Sequence, residues 1–82
     1  MLAMEIRFSK SAARALLRSD KRKLIRQKID DLAADPRAPN VNVKNLRGRA
    51  ESRLRVQDWR VIFEVEDGVL LINDIAPRGS VY

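Results

Sequence analysis

Three short runs rich in β-branched and aromatic residues, Ser52–Val56, Trp59–Glu66 and Val69–Ala76, are separated by only two residues each time. Two-residue gaps between strand-like runs force hairpins, so this third of the chain constrains the fold more than any other feature. Asp67-Gly68 is a strong hairpin signal, because type I′ turns need positive φ at both central positions. Taking Gln57-Asp58 as a two-residue turn sets the register. Val56 then faces Trp59, Arg55 faces Arg60 and Arg53 faces Ile62. Pairing Val69 with Glu66 places Ile75 opposite Arg60. Pro77 ends the pairing because it has no N–H to donate.

Strand residues alternate between the two faces of a sheet. Arg53, Arg55 and Arg60 therefore share one face. Leu54, Val56, Trp59, Val61, Phe63 and Val65 share the other, which must lie under helices. The helices come earlier. Met4, Ile6 and Phe8 alternate with Glu5 and Arg7 as a short strand. Ser9 or Ser11 can cap a helix bearing Ala12, Ala13, Leu16 and Leu17. Ser19-Asp20 interrupts that pattern and can cap a second helix, whose apolar stripe is Leu24, Ile25, Ile29, Leu32 and Ala33. Asp35-Pro36 ends it, since proline disfavours helix in the residue before it. Val41–Leu46 alternates weakly, as an edge strand would, and Gly48–Glu51 reads as a turn. The expected fold is α+β: an N-terminal strand and two helices packed on one face of a mostly antiparallel curved sheet of four to five strands. Residues 1–82 read as a single domain.

Charge is distributed unevenly. Lys and Arg number 17 against 11 Asp and Glu, a net charge of +6. Residues 10–28 hold eight positives and one negative, and residues 37–60 hold seven positives and two negatives. The last stretch, 61–82, holds four negatives and Arg78. Basic zones of this kind steer nucleic acid or acidic proteins toward themselves. The arginine bias favours planar, bidentate contacts with phosphate or carboxylate.

Directly opposed like charges such as Arg55 and Arg60 are unfavourable in a sheet unless an anion lies between them. Convergence of Arg53, Arg55, Arg60 and Arg78 on one concavity, with Tyr82 four residues on, reads as a phosphate site. The plainer alternative is that the arginines splay into solvent, paired with Glu64 or Glu51. Lys44 and Arg47 either extend the basic surface or are simply exposed. Lys21-Arg22-Lys23 reads as a solvated helix face, and Trp59 as core rather than a base-stacking platform.

Other chemistries are narrowed by what the chain lacks. With no cysteine and no histidine, a disulfide framework is impossible and a zinc site loses its main ligands. No metal or cofactor is expected. No carboxylate pair is spaced for glycosidase chemistry. No apolar run reaches bilayer-spanning length and no secretory signal is visible, so the expected location is the cytoplasm, without membrane association.

The residues Lys44-Asn45-Leu46-Arg47-Gly48, the run Arg53-Leu54-Arg55-Val56-Gln57-Asp58-Trp59-Arg60-Val61-Ile62-Phe63-Glu64-Val65, and Arg78-Gly79-Ser80-Val81-Tyr82 resemble the RelE/ParE superfamily of type II toxin–antitoxin toxins. The matching patterns are a K-x-L-x-G strand, an arginine-rich hairpin and a terminal R-x-x-x-Y. The N-terminal strand and two helices match in order and length. The RelE-like branch implies a ribosome-dependent endoribonuclease that cuts mRNA in the A site. The ParE branch implies poisoning of DNA gyrase without nuclease activity. A degenerate toxin that only binds its antitoxin as a co-repressor is a third possibility. The matched arginines and Tyr82 point to the RelE branch. The resemblance implies a cognate antitoxin as partner, and contact with operator DNA only through it.

On that resemblance, Arg53, Arg55, Arg60, Arg78 and Tyr82 line the active site. Some nuclease members carry lysines where Arg53 and Arg55 stand, and many have histidine where Pro77 precedes Arg78. RNA can be cut without metal if its own 2′-hydroxyl attacks the adjacent phosphorus. Fixed donors at developing negative charge suit arginine, but guanidinium is a poor base. The expected roles are Tyr82 as base or positioner of the 2′-hydroxyl, Arg55 and Arg60 holding the phosphate, and Arg78 stabilising the leaving oxygen. Arg53, Lys44 and Arg47 would grip flanking phosphates in the RNA.

Overall fold

The computed structural model describes residues 3–38, 41–46, 48 and 50–77. Its elements are β1 (Glu5–Phe8), α1 (Lys10–Arg18), α2 (Arg22–Ala34), β2 (Asn42–Asn45), β3 (Ser52–Val56), β4 (Trp59–Glu66) and β5 (Val69–Pro77). They form the expected α+β architecture. The five strands make one sheet in the order β1-β5-β4-β3-β2. All neighbours are antiparallel except β1 and β5, which run parallel.

Both helices cover one face. Ala12 of α1 and Ile25, Ile29, Leu32 and Ala33 of α2 meet Leu54, Val56, Val61, Phe63, Leu70, Ile72 and Ile75 in one buried cluster. Each such large side chain removed from water contributes about 1.5–3 kcal/mol, so this seam holds the fold. Trp59 packs against the cluster, as its alternation predicts. Two apolar residues do not join it. Val65 lies on the helix side in register with Leu70 but is 51 % exposed. Leu17 is 74 % exposed.

Ser9 joins α1 to the sheet. Its Oγ accepts from Ala12 N at 3.0 Å, satisfying a donor at the helix start. The same hydroxyl donates to Asn73 O at 2.8 Å, and Ser9 N donates to Ile72 O at 2.9 Å. The second helix is not capped as the sequence predicts. Its cap is Lys21, which makes no side-chain capping bond. Ser19 is buried and its Oγ instead accepts from Lys21 N at 3.0 Å, so the hydroxyl closes the turn between the helices. At the other end, Met4 N donates to Ala33 O at 3.0 Å, tying α2 to the start of β1.

The two β-turns obey the sequence signals. Asp67 and Gly68 have φ of 52° and 76°, the left-handed pair that a type I′ turn requires. Gln57 has φ of 52° at the first turn.

One register expectation fails. Val69 does pair with Glu66, but Ile62 pairs with Asp74 and Phe63 with Ile72, leaving Asn73 as an extra residue in β5. Beyond this bulge Arg60 faces Ala76, not Ile75. The reason is burial. Ile72 and Ile75 are three apart, so strict alternation would put one of them in solvent; the extra residue returns both to the helix-covered face, where each is buried.

Candidate active-site face

Residues paired across an antiparallel ladder project to the same side. The register therefore arranges the helix-free face in rows. One row runs Lys44, Arg53, Ile62, Asp74 across β2, β3, β4 and β5. The next runs Asn42, Arg55, Arg60, Ala76. Lys44, left open between two readings by the sequence, thus stands directly beside Arg53. The opposed pair Arg55 and Arg60 is present as expected. Arg47, Arg78 and Tyr82 lie outside the described residues.

The arginines on β3 are not neutralised by the carboxylates the plainer reading assigned to them. Neither Arg53 nor Arg55 forms an ion pair among the described residues, whereas Arg7 pairs with Glu5 and Arg26 with Asp30. Arg55 Nε donates a long hydrogen bond, 3.3 Å, to Gln57 O in the turn. Arg53 Nε is buried and has no hydrogen-bond partner. A buried donor left unpaired costs about 1–3 kcal/mol. Glu51, one of the two expected counter-ions, accepts from Asn73 Nδ2 at 2.8 Å.

Ile62 forms the floor. It is only 2 % exposed although it faces away from the helices. Its register neighbours Arg53 and Asp74 flank it, and Arg60 stands two positions along its own strand. Long arginine stems can cover apolar surface of this kind. The result is a shallow basic platform over a small dry patch. It presents arginines from two strands, with two carboxylates nearby: Asp74 across the row from Ile62 and Glu64 two positions along β4. Among the described residues no group of three His, Cys, Asp or Glu is placed to hold a metal ion. No described helix is long and apolar enough to cross a membrane.

The sequence reading overlooked Asp74 and Ile62. The signal for Asp74 was the Ile72–Ile75 spacing, which implies a bulge and moves Asp74 onto the arginine side; that for Ile62 was its pairing with Arg53.

Comparison with known proteins identifies the fold. The fold is similar to a chain of the archaeal RelE–RelB complex from Pyrococcus horikoshii OT3, with a TM-score of 0.80 and 26 % identity over 98 % of this chain and 100 % of that one. It is also similar to a chain of the RelB–RelE antitoxin–toxin complex from Methanococcus jannaschii, with a TM-score of 0.75 and 22 % identity over 92 % and 93 % of the two chains. The isolated E. coli RelE toxin gives a TM-score of 0.75 at 18 % identity, covering 93 % of this chain and 85 % of that one. No curated protein sequence matches. The family model described as the ParE toxin of type II toxin–antitoxin system, parDE, matches residues 6–82, and the chain belongs to that family, a toxin within the RelE/ParE superfamily.

Proposed function

We propose that this toxin is a ribosome-dependent mRNA endoribonuclease that halts translation. The observation that carries the reading is the pair of opposed arginines, Arg55 and Arg60, beside an Arg53 whose Nε is buried without a partner. Such a face favours an anion, and a polynucleotide supplies anions in a row. In this reading Arg55 and Arg60 hold the phosphate under attack. Arg53 and Lys44, adjacent in the next row, grip a neighbouring phosphate together with Arg47. Arg78 stabilises charge on the leaving oxygen, and Tyr82 acts as base or positioner of the attacking 2′-hydroxyl. The chemistry is metal-independent, since fixed guanidinium donors supply the charge stabilisation a metal otherwise would.

The match to the ParE toxin family favours a second reading, inhibition of DNA gyrase without RNA cleavage. Either way the partner is a cognate antitoxin, because the similar structures include toxin–antitoxin complexes. A segment rich in acidic and apolar residues suits the basic face, and contact with operator DNA would pass through the antitoxin.

Primer extension on mRNA in a translating extract separates the readings. The nuclease reading requires breaks inside codons that disappear with Arg55→Ala, Arg78→Ala and Tyr82→Phe. Intact mRNA with stalled gyrase supercoiling establishes the gyrase reading instead. Normal growth on expression without an antitoxin would indicate a toxin retained only as co-repressor.

A further inference from the structure

The arginine face lacks an evident proton acceptor. The chain has no histidine, and arginine stays protonated. The β5 bulge supplies a candidate. With Asn73 as the extra residue, Asp74 turns from the helix side to the arginine side and pairs with Ile62. It lies diagonally across one strand boundary from Arg60, whose direct partner is Ala76. Diagonal neighbours are roughly 7–8 Å apart at the backbone, within reach of a long side chain and a bridging ligand. Arg53 is two strands away in the same row, about 10 Å at the backbone. A group bound over Ile62 would therefore have guanidinium on one flank and carboxylate on the other. The small Ala76 beside Arg60 leaves that corner open.

The carboxylate is itself held in place. Oδ1 accepts from Ile75 N at 2.9 Å. Oδ2 makes no hydrogen bond, and Asp74 forms no ion pair, among the described residues. A carboxylate facing a phosphate site repels phosphate unless it meets a donor on the same ligand. The 2′-hydroxyl next to the bound phosphate is such a donor. Glu64 also stands on this face but lies four residues along β4 from Arg60, roughly 13 Å at strand rise, too far to share its phosphate.

We propose that Asp74 is a catalytic residue of this toxin, accepting the proton of the attacking 2′-hydroxyl through Oδ2. The inference rests on the nuclease reading above. The 2′ O–H bond breaks and its proton passes to Asp74. The 2′-oxygen bonds to phosphorus as the P–O5′ bond breaks. The 5′-oxygen leaves with a proton drawn from water, and Asp74 later returns its proton to solvent. The products are a 2′,3′-cyclic phosphate and a 5′-hydroxyl.

Asp74→Asn keeps an oxygen to accept from Ile75 N and removes only the basic function. Single-turnover cleavage on programmed ribosomes is expected to slow by about 100-fold or more, the usual contribution of general base catalysis. Toxin concentration for half-maximal rate and thermal midpoint should not change, and Asp74→Glu should regain part of the rate. Wild-type speed in Asp74→Asn overturns the proposal while leaving the nuclease reading intact. A slower rate matched by weaker ribosome binding or a lower midpoint also overturns it, since that marks a structural role. Absence of cleavage by the wild-type protein refutes the nuclease reading and this proposal together.

Discussion

Replacing Arg55 by glutamine should make the protein more stable and less able to bind phosphate. Arg55 is exposed and directly opposite Arg60. Two unit charges about 6 Å apart in water repel by about 0.7 kcal/mol, an upper figure for this pair. Screening leaves about 0.6 kcal/mol at 10 mM salt, where the Debye length is about 30 Å, and about 0.1 kcal/mol at 1 M, where it is about 3 Å. The hydrogen bond that is lost, to Gln57 O, is long and exposed, so it offsets little. For a chain of this size, about 0.6 kcal/mol corresponds to a rise in thermal midpoint of roughly 2–5 °C. Paired melting curves of wild type and Arg55→Gln at the two salt concentrations measure it. The wild type alone should also gain stability as inorganic phosphate is added at low salt. A variant that is less stable, or whose gain is the same at both salt concentrations, refutes the view that this face stores repulsion awaiting an anion.

Three further outcomes follow from local geometry. Gly68→Ala should cost about 1 kcal/mol in urea unfolding through its φ of 76° alone, because nothing lies within 4 Å of the added carbon. Ser9→Ala removes both a helix cap and the bond to Asn73 O, and should cost about 1–3 kcal/mol by the same assay. Lys23→Glu, in the first turn of a helix that has no acidic residue there, should raise the thermal midpoint by the equivalent of about 0.3–1 kcal/mol, most clearly at low salt.

The sequence carried the sheet well because period-two patterning and two turn signals over-determine it. Val56 with Trp59, Arg55 with Arg60 and Arg53 with Ile62 pair as the turn length demands. What it concealed were choices between equivalent partners. Ser19-Asp20 looks like a helix cap, yet the hydroxyl bonds Lys21 N one step earlier. Leu17 and Val65 fit their stripes, but whether a stripe is covered depends on how far the opposing element reaches. The bulge was legible only as a phase slip between Ile72 and Ile75, and ignoring it put Asp74 on the wrong side of the sheet. The roles of Arg47, Arg78 and Tyr82 rest on the family pattern, since they lie outside the described residues.

The parallel pairing of β1 with β5 bears on how the protein is born. Ser9 and Asn73, which meet at that seam, are 64 positions apart in the chain. During synthesis the first strand and both helices emerge with their apolar sides uncovered, and their proper neighbour is the last strand to be made. Closing so long a loop is slow and comes late. The basic platform depends on β4 being locked between β3 and β5, so a nascent chain would carry no finished site. The cell would meet a finished site only after β5 has been made, which gives a co-translated binding partner time to arrive first.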